Sequence, residues 1–137
     1  MKNSLYTEDL LFKWLKREYI PDLERSEDQY SFYDCYSDEF KIHIELKCRK
    51  VHYQSLIIEK RKYLALIKMC KQHKTKPIYI NSTPNGVWAF YIEDLDIEWQ
   101  DKALPETTDF SNSNFIDKSI GYLDVSKGVE LSSILYH

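Results

Sequence analysis

Ten consecutive residues, Phe40 to Arg49, alternate without a break: Phe40, Ile42, Ile44, Leu46 and Cys48 are apolar, and Lys41, His43, Glu45, Lys47 and Arg49 are polar. This period of two is the pattern of a half-buried strand, and it leaves few other folds for the segment. Glu45 and Lys47 therefore leave the same, solvated face, roughly 6–7 Å apart. A carboxylate beside an ammonium at that distance can hold a hard cation and orient a water, provided a second carboxylate arrives nearby.

Two residues can supply it. The preceding segment, Tyr30 to Tyr36, reads as a strand, and Ser37-Asp38-Glu39 as the turn between the two. If the hairpin turns around Glu39 and Phe40, Asp34 lies across from Glu45, where opposed Cβ atoms are about 5 Å apart and one cation can bridge both carboxylates. If the turn is tighter, around Ser37 and Asp38, Asp28 falls opposite Lys47 and takes the role. Asp34 is favoured because an acidic residue inside the aromatic run Tyr33-Asp34-Cys35-Tyr36 has little structural reason to be there; the bland reading is an edge-strand aspartate in water.

The remaining elements follow from periodicity and punctuation. Leu5 to Tyr19 reads as a helix with an apolar stripe of Leu11, Trp14, Leu15 and Ile20, ended by Pro21 and Asp22 and followed by a polar connector over 23–29. Ser55 is a candidate N-cap for a long helix to about His73. On that helix Leu56, Ile57, Tyr63, Leu64, Leu66, Ile67 and Cys70 share one arc, with Glu59 and Lys60 inside it. Charged groups on a core-facing stripe need a partner, a purpose or a way to snorkel out. Strands are expected over Lys76–Asn81 and Val87–Glu93 around the hairpin signal Thr83-Pro84-Asn85-Gly86. Gln100–Asn114 reads as an irregular loop and Ser119–Val125 as a last strand; Ser126-Lys127-Gly128 turns into Val129–Leu135. The order α-β-β-α-β-β predicts an α/β (α+β) fold, a mixed sheet with helices packed on it.

At 137 residues, 43% hydrophobic and 15% aromatic, the chain can bury one proper core. A single domain is expected, with its core over about residues 5–93 and a strand-and-loop extension over 94–137. No stretch approaches the ~20 apolar residues of a membrane span, and Met1-Lys2-Asn3-Ser4 begins no signal-peptide core, so a soluble, cytoplasmic protein is expected. Cys35, Cys48 and Cys70 sit in apolar segments and read as buried free thiols. The net charge of −3 hides an asymmetry: residues 41–76 carry eleven Lys/Arg against Glu45 and Glu59, a local +9, and the rest of the chain sums to −12. A concentrated basic strip is the footprint expected for a phosphate backbone, or, more blandly, a solvated helix face.

Asp34, then Glu45-x-Lys47 ending a hydrophobic strand, then Ile57-Ile58-Glu59-Lys60-Arg61-Lys62-Tyr63 on a helix, together resemble the PD-(D/E)XK nuclease superfamily. The likeness is to its small stand-alone members, including phage-encoded ones and those related to Holliday-junction resolvases. It spans roughly residues 30–70, and the element order extends it to about residue 93. The resemblance implies a restriction-endonuclease-like α-β-β-α-β core and a hydrolase acting on DNA more than RNA, in the host cytoplasm if phage-encoded. It also implies Asp34 and Glu45 as ligands of Mg²⁺ or Mn²⁺. Lys47 would position or help deprotonate the attacking water, and Glu59 or Lys60 would be the auxiliary polar residue on the helix. Glu59 to Tyr63 has the spacing of the Gln-x-x-x-Tyr element of one exonuclease branch, with Glu for Gln, and Tyr33 stands where many members have proline. Glu8 and Glu18 are both available as the first-helix carboxylate that completes some sites. Arg49, Lys50, Lys60, Arg61 and Lys62 would contact nucleic acid, and by analogy the protein would pair as a homodimer.

Magnesium suits this chemistry because it takes oxygen ligands and keeps several waters, so two carboxylates are enough. His43, on the face of Glu45, is either part of a proton relay or an ordinary surface histidine. Three functions compete: a metal-dependent nuclease, a non-catalytic nucleic-acid-binding or assembly domain of the same fold, and a protein-interaction domain using Trp99, Phe110 and Phe115. The complete Asp34/Glu45/Lys47 set favours the first.

Overall fold

In the computed structural model, which describes residues 7–27, 33–105 and 115–131, the alternating segment is a strand over Ile42–Cys48. In chain order the elements are α1 (Glu8–Glu18), β1 (Glu24–Arg25), β2 (Cys35–Ser37), β3 (Ile42–Cys48), β4 (Ser55–Glu59), α2 (Lys60–His73), β5 (Lys76–Thr83), β6 (Gly86–Tyr91), β7 (Gln100–Pro105), β8 (Phe115–Asp124) and β9 (Val129–Glu130). Short 3₁₀ turns follow β6 at Ile92–Asp94 and β8 at Val125–Lys127.

Six strands form a mixed sheet in the order β1-β2-β3-β5-β6-β9. Its central pair, β3 and β5, is parallel, with Glu45 beside Tyr79 and Lys47 beside Asn81. A parallel pair needs a crossover connection, and here it carries β4 and α2. The β5–β6 hairpin closes at Thr83 and Gly86, as the turn signal predicts, and Gly86 takes a φ of 149° that side-chain-bearing residues rarely adopt.

α1 is started by Thr7, whose hydroxyl accepts from the Leu10 N–H at 3.2 Å, with Glu8 and Asp9 in the first turn and Lys16 and Arg17 in the last, each sign suited to the helix dipole. It packs Leu11, Phe12, Trp14 and Leu15 on Ile44, Leu46, Ile78 and Ile80, one face of the sheet. On the other face Leu66 and Cys70 of α2 join Leu56 and Ile58 of β4, Tyr79 of β5 and Trp88 and Phe90 of β6. Since Ile44 and Leu46 face α1, Glu45 and Lys47 face α2. Among the described residues no helix is long and apolar enough to cross a membrane.

Three expectations are corrected. Ser55–Glu59 is strand rather than the first turns of a helix, so α2 begins at Lys60 and Leu64 is 51% exposed instead of lying on the buried arc. Five residues cannot separate a strand from a helix by periodicity; pairing with β8, from Ser55–Asp124 to Glu59–Ile120, decides it. Gln100–Pro105 is an edge strand rather than loop, pairing with β8 from Gln100–Ile120 to Pro105–Phe115. Most of it is exposed, so it has no buried face to impose alternation. The strand expected over Tyr30–Tyr36 is Cys35–Ser37, and Tyr30 to Phe32 lie outside the described residues. β4, β8 and β7 thus make a second, three-stranded sheet.

That small sheet is seated by a close approach. A methyl group built on Gly121 would stand 2.2 Å from Ile97 Cγ2 and 3.2 Å from the Trp99 ring. Gly121→Ala is therefore expected to destabilise the protein by about 1–3 kcal/mol through overpacking. Urea unfolding checks this, and an unchanged midpoint would show that Ile97 and Trp99 move aside freely.

Candidate active site

The β2–β3 register pairs Cys35 with Ile44, Tyr36 with His43 and Ser37 with Ile42, the pairing of a turn around Glu39 and Phe40. One step further this puts Asp34 beside Glu45, while Asp28 lies outside the described residues. Three bonds hold Asp34: its N–H donates to the Ile44 carbonyl at 2.8 Å, its carbonyl accepts from the Ser26 N–H at 2.9 Å, and its Oδ2 accepts from the Leu46 N–H at 2.7 Å. The Glu45 side chain is 19% exposed. Burial, then the Asp34 charge and a hydrogen bond between the two carboxyls, push its pKa up to about 8, although Lys62 opposes the shift. Lys62 Nζ stands 3.9 Å from Glu45 Oε2. Two carboxyls this close cannot both ionise easily, so without metal Glu45 holds its proton well above the usual carboxylate range.

Lys47 is half-buried rather than solvated. Burial first, then the nearby Lys62 and Arg49 charges, lower its pKa. Of the two first-helix carboxylates, Glu8 is the one that feels the site: burial and Asp34 raise its pKa, while Lys47 and Lys62 oppose. Glu18, at the other end of α1, is bound by Arg17 Nε at 2.8 Å.

A cleft of about 200 Å³ opens over these groups. Glu45, Lys47, Arg49, Glu59 and Lys62 line it, but Asp34, Lys50, Lys60 and Arg61 do not. Glu59, at the end of β4, meets Lys118 Nζ at 3.5 Å. Lys60 turns toward the Trp99 ring, 5.9 Å from its centroid, and Lys50 and Arg61 are exposed. Lys118 went unnoticed in the sequence because β8 reaches the cleft only through the second sheet, and nothing local to Lys118 signals it.

Arg49 is committed internally. Its Nε donates to Asn81 Oδ1 at 2.7 Å, and its Nη2 donates to the Ile57 carbonyl at 2.5 Å and to the Tyr79 hydroxyl at 3.2 Å. These bonds tie β3 and β5 of the main sheet to β4 of the small one. Arg49→Ala leaves the buried Asn81 amide without its guanidinium and is expected to cost about 2–4 kcal/mol in urea unfolding. A loss of less than about 0.5 kcal/mol would mean the bonds are replaced by water.

His43 is neither a relay partner of Glu45 nor a surface residue. It is 9% exposed, its Nδ1 meets Thr75 Oγ1 at 2.9 Å, and Tyr33 and His73 pack on its ring at centroid distances of 4.6 and 5.6 Å. Burial and His73 lower its pKa. Trp99 packs on Tyr63 at 5.1 Å, Phe115 is 63% exposed, and Phe110 lies outside the described residues.

Among the described residues no three His, Cys, Asp or Glu side chains converge as a ready metal cage. Two neighbouring oxygen-donor carboxyls nevertheless fit a hard cation that keeps its waters.

No family model and no curated protein matches the chain. Among solved structures it is similar to Hjc of Archaeoglobus fulgidus, a Holliday junction resolvase from an archaeal hyperthermophile. The identity is 16%, the TM-score 0.55, and the match covers 94% of this chain and 99% of the resolvase. The shared feature is the fold, helices packed on a mixed sheet.

Proposed function

We propose that this protein is a metal-dependent nuclease that hydrolyses phosphodiester bonds in nucleic acid, DNA ahead of RNA. The observation that carries the reading is the pairing of β2 with β3 that sets Asp34 beside Glu45, with Lys47 two residues along the same strand face. The fold shared with a resolvase agrees with it.

Asp34 and Glu45 would hold Mg²⁺ or Mn²⁺, which supplies a neutralising charge and a more acidic water. The Asp34 carboxylate is oriented by the Leu46 N–H, so one ligand is placed in advance. Lys47, with a lowered pKa in a partly buried site, is suited to position the attacking water, take up its proton and offset the charge that grows on the phosphate. Glu8 is the first-helix carboxylate placed to assist. Glu59 fits the auxiliary role better than Lys60 because it lines the cleft. Lys62, Lys50 and Arg61 offer charge to the phosphates around it, whereas the Arg49 donors are spent on the scaffold.

The test is incubation of the protein with labelled single-stranded, duplex and four-way-junction DNA and with RNA, in Mg²⁺, Mn²⁺ or EDTA, with Glu45→Ala alongside. Cleavage that needs the metal and disappears in the variant supports the reading. Salt-sensitive binding without cleavage would replace it with a non-catalytic nucleic-acid-binding domain.

A further inference from the structure

The two walls of the cleft differ in chemistry. Glu45 and Lys47 on β3 make one wall. The other, built by α2 and the small sheet, sets an apolar patch of Ile57 from β4, Tyr63 from α2 and Leu104 and Pro105 from β7 beside the charged Glu59, Lys62 and Lys118. A double helix offers the apolar patch nothing, because its bases are stacked and its outer surface is phosphate and groove edge. Burying apolar side chains beside a duplex backbone would also cost phosphate hydration. An unpaired base, in contrast, presents a flat apolar face on either side, and aromatic platforms beside a cationic backbone track are how proteins hold single strands.

The platform is held in advance. Trp99 packs on Tyr63 with ring centroids 5.1 Å apart and an interplanar angle of 59°. Trp99 in turn lies over Gly121, and the Lys118–Glu59 pair joins β8 to the end of β4. At about 200 Å³ the cleft suits one base with its sugar rather than a double helix.

We infer that the cleft takes an unpaired nucleotide, with its base against Tyr63, Leu104 and Pro105 and its phosphate at Glu45 and Lys47. The substrate is then a single strand, or the unpaired part of a larger structure. This rests on the nuclease reading for the placement of the phosphate, and the small sheet becomes the element that sets specificity.

The test is fluorescence anisotropy with one labelled oligodeoxynucleotide, offered as a single strand and as a blunt duplex, to wild type and Tyr63→Ala. The variant is expected to lose about 5-fold or more in affinity for the single strand, the scale of one stacked base, and to bind the duplex within about twofold of wild type. Duplex binding as tight as single-strand binding in the wild type, or an equal loss for both ligands in the variant, would overturn the inference. If Tyr63→Ala does not fold, Leu104→Ala on the edge strand takes its place, with the same selective loss expected. Cleavage separates the two proposals. Equal metal-dependent cutting of single strand and duplex would overturn this inference and leave the nuclease. Selective single-strand binding with no cutting in Mg²⁺ or Mn²⁺ would support the inference and remove the nuclease.

Discussion

Replacing Lys47 with alanine is expected to lower the cleavage rate by about 10²- to 10⁴-fold, the range spanned by loss of one positioned charge or proton-transfer group. The fold should survive, and the protein should become slightly more stable. Burial and the neighbouring Lys62 and Arg49 charges depress the Lys47 pKa, so its charged form is disfavoured in the folded state. A lysine whose folded pKa lies below its unfolded one costs stability at every pH where both forms are protonated, and removing it relieves that cost. Metal affinity should change little, because Asp34 and Glu45 are the proposed ligands. Single-turnover cleavage, thermal melts and metal titration together check this. A variant that cuts at the wild-type rate would remove Lys47 from the chemistry, and one that unfolds would make it a structural residue.

The second large effect is expected at Glu45. Without metal, the folded protein keeps a proton on the carboxyl pair that the unfolded chain loses near the ordinary value of 4.5. The folded state therefore binds more protons at Glu45, and the contribution of this group to stability falls as pH rises from about 4.5 through about 8, offset in part below 6.5 by His43, whose lowered pKa works the other way. The slope corresponds to about 1.4 kcal/mol for each unit by which the pKa is displaced. Glu45→Gln should abolish most of this slope, leave the metal-free protein more stable than wild type near neutrality, and weaken Mg²⁺ or Mn²⁺ binding by about 100-fold or more. A cation held as proposed would displace the Glu45 proton, so metal affinity and metal-induced stabilisation should both grow between about pH 6 and pH 8. Melts across that range, with and without Mg²⁺, read all of these. Metal stabilisation that persists in Glu45→Gln would exclude Glu45 as a ligand, and pH profiles that do not differ between the metal-free wild type and Glu45→Gln would mean that Glu45 keeps no proton in the folded state.

Both effects arise from the strand pair that was easiest to read. Ile44 and Leu46 are buried against α1 along the whole of β3, so every second residue had to be apolar, and the phase of that alternation places Glu45 and Lys47 together. Hairpin pairing is arithmetic once the turn is placed, and a turn around Glu39 and Phe40 sets Asp34 beside Glu45. The β5–β6 hairpin was legible for a similar reason, since Gly86 holds a backbone angle that few residues tolerate.

Elsewhere local pattern was not enough. Leu56 and Ile58 are buried in a five-residue segment that fits helix or strand, and only β8, more than sixty residues further along, settles it as strand. Gln100–Pro105 has almost no buried face, so its pairing leaves no mark on its composition. Arg49 reads as a free cation by its place in a basic run, yet Ile57, Tyr79 and Asn81 take its donors. The strand character of β3, the β2–β3 register and the carboxyl pair follow from contacts between near neighbours, which are written into residue order. The burial of Lys47, the closeness of Glu8 to the charges of Asp34 and Lys47, the arrival of Lys118 and the apolar patch of the cleft depend on how the sheets and helices meet. Those contacts join residues far apart in the chain, whose energies no local window contains.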